Sequence, residues 1–346
     1  MFTDTEKKQL YIFTAVAYGL PFLFGFYMWY GAGKDLDLSV FPNAQMFYPA
    51  AGAILALLVT RKGDGLLPRR FFTGYLVITL VMVLICFASM AVPQPAWATL
   101  VQFPIIVGSV AAWILLLTDK KDKRAAYGLR FKNVKASVLC VLLFLLLYTG
   151  RSVVSFALAG QFSQVGVIFS SPQSWIVLVA LIPNFFLIFL AFFGEEYGWR
   201  YFLQPLLQKR FGLRKGVLLL GVVWGLWHLP IDFFYYAKGY GLQAALGQQI
   251  TCITLGIFFA YAYMKTDNIW VPVILHMLNN NLVPVFSQNF AADVLEDQVV
   301  TWASLLPSLL LNGLVFGLFL LSKVFNEKRG PSSEEAVTGT DAASEQ

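Results

Sequence analysis

Apolar residues gather into ten runs along this chain, at 10–31, 41–60, 71–93, 97–118, 136–159, 174–198, 216–236, 243–264, 269–286 and 302–322, separated by short polar or basic stretches. Most are about 20 residues long, the length a helix needs to cross the hydrocarbon core of a bilayer. In lipid each backbone N–H and C=O must find its partner within the segment, so a run of this kind reads as a helix. The pattern predicts an all-α fold: a polytopic transmembrane helix bundle of about ten spans. The first run follows Lys7 and Lys8, is too long for a signal peptide and has no small-residue cleavage site after it.

The basic residues orient these runs. Of 25 Lys and Arg, 22 lie before the first run or after an even-numbered one; after the odd-numbered runs stand only Lys34 and Lys238, and Arg151 sits inside the fifth. This one-sidedness is the positive-inside signature and predicts that both termini are cytoplasmic. The net charge of +6 is then a topology signal. It implies contact with an anionic lipid surface and no nucleic acid partner. Composition agrees, with 58% hydrophobic and 13% charged residues and a mean hydropathy of +0.68, too apolar for a soluble exterior. Cys86, Cys140 and Cys252 all fall inside runs and read as packing residues. The expected organisation is an N-terminal four-helix membrane region over 1–135, a helix bundle carrying the chemistry over 136–325, and a tail over 326–346 whose Ser, Glu, Ala and Gly content predicts cytosolic disorder.

Ionisable residues inside spans are rare and costly, so each suggests a function. Both histidines of the chain, His228 and His276, lie in runs, and Glu195–Glu196 closes the sixth. Glu196 and Arg200 are four apart and share a helix face, which allows an ion pair. Glu195 is turned about 100° away and has no local partner. Trp224 shares a face with His228, and His276 with Asn280, by the same spacing. A single membrane histidine is more simply an interhelical hydrogen bond, and a carboxylate pair at a helix end is more simply solvated. Their convergence on one side of the membrane points to chemistry.

Gly-Glu-Glu-Tyr-Gly-Trp-Arg at 194–200, Trp-Gly-Leu-Trp-His at 224–228 and His-Met-Leu-Asn-Asn at 276–280 resemble, in order, the three motifs of the CPBP family, the CAAX prenyl proteases and bacteriocin-processing enzymes also called Abi. The one departure is Trp224 where the family has Phe. The resemblance implies an intramembrane endopeptidase with Glu195 as catalytic carboxylate, Glu196 and Arg200 as its supporting pair, and His228, His276 and Asn280 completing the site beside Trp224. Two mechanisms share these residues. In a metallo reading Glu195, His228 and His276 bind zinc, whose water ionises near pH 7. In the favoured reading no cofactor is required: Glu195 and His228 activate water while His276 and Asn280 stabilise the oxyanion.

The expected substrate is a peptide or protein in or at the membrane, prenylated or not. The expected setting is a bacterial plasma membrane, with the active site towards the cytoplasm. Two alternatives stand beside this reading. One is a secondary transporter or channel relaying protons or substrate through buried Glu, His and Arg, with Arg151 and Asp232 suited to such a role. The other is a catalytically silent immunity or scaffold protein of the same fold.

Overall fold

A computed structural model describes residues 2–94, 96–291 and 294–326; the tail expected to be disordered lies almost wholly outside them. The described chain is helical, with no strand among those residues. Each of the ten apolar runs coincides with helix, and seven helices are long and apolar enough to cross a membrane. An eighth crossing is counted if Leu213–Trp227 and Leu229–Tyr236, bent by 41° at His228, form one span. The last two runs differ from expectation. Trp270–Asn281 is followed by Val283–Ser287, and Trp302–Val315 gives way to a 3-10 turn at Gly317. Pro284 near the first break has no N–H to continue a helical ladder.

The exterior is as apolar as a bilayer requires. Leu80, Val107, Leu146, Val179 and Leu314 are all more than half exposed, where lipid rather than water would cover them. Polar and charged groups are instead turned inward, among them Glu195, Glu196, Arg200, His228, Asp232 and His276.

The Pro172–Glu196 helix runs on through a π-helical segment, Tyr197–Leu203, into Gln204–Phe211. It is pressed against the N-terminal helices through two glycines of the first motif. A Cβ on Gly194 would lie 2.2 Å from the Met46 carbonyl oxygen, and one on Gly198 would lie 2.4 Å from the Pro49 side chain. The helices before residue 135 therefore form a wall of the site. Gln45 donates to the Trp227 carbonyl at 2.9 Å, Trp227 donates to the Ala17 carbonyl at 2.8 Å, and the Tyr18 hydroxyl donates to the Val223 carbonyl.

Gly212, at φ +85°, turns the chain between Gln204–Phe211 and Leu213–Trp227, a conformation that favours glycine. The two helices leave this turn side by side, flanked by Lys209, Arg210, Arg214 and Lys215. Glu195 is 16 residues before Phe211 and His228 is 15 after Leu213, about 24 and 22 Å along their helices. The first two motifs are thus brought level.

Candidate active site

Trp224 is the hub of the site. Its indole Nε1 donates to Glu195 Oε2 at 2.8 Å. Its carbonyl oxygen lies 2.8 Å from His228 Nδ1, which donates to it, and this leaves Nε2 as the basic nitrogen of that ring. Its ring packs edge-on to His276 with centroids 5.5 Å apart. On its face lies the Arg200 guanidinium, 4.8 Å from the ring centre, within cation–π range. The residue that holds Glu195 comes from another helix.

The second carboxylate does two things. Glu196 Oε2 is 3.1 Å from Arg200 Nε, and neither side chain is exposed to any degree. Its other oxygen, Oε1, accepts from His276 Nδ1 at 2.9 Å. That bond turns His276 so that Nε2 faces Glu195 Oε1 at 4.0 Å. Asn280, one turn further on, accepts at Oδ1 from Asn279 Nδ2 at 3.0 Å, so its own amide N–H groups are what it can offer.

Glu195, Trp224, His228, His276 and Asn280 all line one cavity of about 290 Å³. Its wall also holds Asp232 and Cys252, which no motif singled out. Cys252 Sγ is 3.8 Å from His228 Nδ1, but that nitrogen already serves the Trp224 carbonyl, so the contact does not activate the thiol. Arg151 does not pair with Asp232: it donates to Asn312 Oδ1 at 3.0 Å and stacks on Tyr148. The relay that a transporter would need is not assembled from these two residues.

Among the described residues no group of three or more His, Cys, Asp and Glu side chains is disposed to hold a metal ion. The Nδ1 atoms of both histidines are committed to Trp224 and Glu196, which leaves Nε2 of each ring to face the cavity chemistry.

Arg200 is fully buried, and the exposed basic residues of this segment begin at Lys209. Apart from Pro172–Glu196, whose Glu195 lies at the end nearer Lys209, the elements line the cavity with the end remote from the Lys/Arg-rich connections. Pro42 and Met46 lie far from Arg61, Asp232 and Tyr236 lie beyond His228, and Gly247 and Gln248 lie far from Lys265. Leu295, Gln298 and Val300 cover the cavity there, held by backbone bonds from Asp297 to Tyr235 and from Gln298 to Tyr236.

Residues 171–282, which contain all three motifs, match the family described as type II CAAX prenyl endopeptidase Rce1-like. The chain is also similar to CAAX prenyl protease 2 of Methanococcus maripaludis, at 24% identity over 231 residues, covering 62% of this chain and 82% of that protein. No solved structure matches the chain. The match over 171–282, the relative and the three motifs agree in likening this part of the chain to the CPBP/CAAX protease family.

Proposed function

We propose that the chain hydrolyses a peptide bond of a membrane-associated substrate by a metal-independent mechanism in which Glu195 and His228 activate water. The observation that carries this is the cavity shared by Glu195, His228, His276 and Asn280 from three separate helices. Glu195 Oε1 and His276 Nε2, 4.0 Å apart, can both reach one water at about 2.8 Å. Trp224 fixes the other Glu195 oxygen, so Oε1 is the one that takes the proton as water attacks the scissile carbonyl. His228 Nε2 relays a proton to the departing amine. His276, protonated at Nε2 as well while its Nδ1–H stays on Glu196, and the Asn280 amide donate to the carbonyl oxygen as negative charge develops there. Burial excludes bulk water and strengthens these interactions. Access is from the Lys/Arg-poor face, a reading supported by the elements that line the cavity with the end remote from their basic residues.

The test is cleavage of a peptide panel by detergent-purified protein, with and without a chelator. Cleavage should persist with chelator and vanish in Glu195→Gln. His228→Ala, His276→Ala and Asn280→Ala should each abolish it while the chain stays folded, and double variants should be no worse than singles, as for groups that act as a unit. Undiminished cleavage by Glu195→Gln would overturn the reading.

A further inference from the structure

Asp232 is the buried charge that the catalytic reading leaves unused. It lies one turn beyond His228, its backbone N–H bonded to the His228 carbonyl at 2.9 Å. It opens a short π-helical segment, Asp232–Tyr236, the kind of helix distortion often found at functional sites. The side chain is 1% exposed and lines the same cavity as Glu195 and His228. Its Oδ2 atom is buried without a hydrogen-bond partner among the described residues. A carboxylate oxygen in such a place is strongly unfavourable unless a donor meets it.

The charges around it narrow the choice of donor. The cavity wall carries two carboxylates, Glu195 and Asp232, and no Lys or Arg. The nearby cations are engaged elsewhere: Arg200 with Glu196, and Lys238 with Glu296 and Asp297 at 3.2 and 3.4 Å. A cavity of one sign with low-dielectric walls concentrates the opposite charge.

We propose that Asp232 is a specificity-determining residue that receives a cationic group of the substrate, a Lys or Arg side chain or a free amino group, on the mouth side of the scissile bond. This rests on the proteolytic reading of the same cavity and adds the substrate class to it. The ammonium or guanidinium group supplies the donor that Oδ2 lacks, and the ion pair orients the peptide before water attacks.

The experiment compares paired peptides that differ at one position, Lys against Gln, scanned across the substrate. With wild-type protein one position should favour Lys in kcat/KM by about tenfold or more, the scale of a close, desolvated charge pair. In Asp232→Asn that ratio should fall to about one. In Asp232→Lys the preference should pass to a Glu peptide. A purely structural role would reduce both members of a pair equally and leave the ratio unmoved, and that result overturns the proposal. Binding of the same peptides to Glu195→Gln, read by thermal shift, separates the two readings. Lys-selective binding that Asp232→Asn abolishes, with no cleavage by wild type, keeps the cationic site and removes the protease. Cleavage by wild type with no Lys preference at any position keeps the protease and removes the cationic site. Absence of both Lys-selective binding and cleavage removes both.

Discussion

Glu196 Oε1 accepts from His276 Nδ1 at 2.9 Å, a bond between the first and third motifs across 80 positions of sequence. Because the same carboxylate also meets Arg200, a buried ion pair aims the imidazole that faces Glu195. Structural support and chemistry are joined at this residue.

Removing one side of that pair strands a charge in the core, at a cost of about 3–5 kcal/mol. Arg200→Ala should therefore lower membrane abundance and the melting temperature in detergent. Glu196→Gln can still accept from His276, so it should lose less activity than Glu196→Ala once the rates are corrected for folded protein. If Arg200→Ala accumulates and melts like wild type yet is inactive, Arg200 acts in the reaction itself.

The fold class was legible because lipid imposes a coarse rule, that about 20 consecutive apolar residues form a helix, and seven helices, eight counting the one bent at His228, obey it. The motif residues were legible because ionisable groups are scarce in such runs. Spacing could not reveal partners on other helices. The bond from Trp224 to Glu195 and the place of Asp232 in the cavity arise only when Gly212 turns two helices side by side, and Cys252 enters the cavity from a further helix, Gly241–Thr266. Arg200 reads as a flank charge in sequence, whereas in the fold its charge is met by Glu196 and its face by Trp224.

Gly194 and Gly198 mark where the first-motif helix meets the N-terminal helices. Alanine at Gly194 would press its methyl against the Met46 carbonyl, and at Gly198 against Pro49, neither of which is the free end of a flexible side chain. Overpacking of this kind costs about 1–3 kcal/mol or more. Both variants should melt several degrees lower in detergent, Gly194→Ala with additional loss of activity because Glu195 is its neighbour. A Gly194→Ala protein as stable as wild type would show that the two helices are not in contact there.

The cavity's side of the membrane can be read chemically. Gln298 lies in its cover, and the native cysteines Cys86, Cys140 and Cys252 are buried. Gln298→Cys in intact cells should react with a membrane-impermeant thiol reagent, whereas Lys209→Cys, at the basic turn, should react only after the membrane is opened. The reverse pattern would place the cavity mouth in the cytoplasm and invert the bundle.

Trp224 gives the last test, because its family counterpart, Phe, has a ring but no donor. Here the indole N–H holds Glu195 Oε2 at 2.8 Å, while the ring face covers Arg200 and the edge meets His276. Trp224→Phe keeps an aromatic ring against the cation and the imidazole but removes the donor, leaving Glu195 Oε2 without the proton that fixes it. A lost hydrogen bond to a charged group costs about 1.5–3 kcal/mol, so kcat should fall about 10- to 100-fold with KM little changed if, as proposed, Glu195 activates water and does not bind the peptide. Trp224→Ala should also lose stability, because it uncovers Arg200 and leaves a large void in a packed core. If Trp224→Phe cleaves as fast as wild type, Glu195 does not depend on this bond for its orientation, and the carboxylate must be held in the working enzyme by other groups.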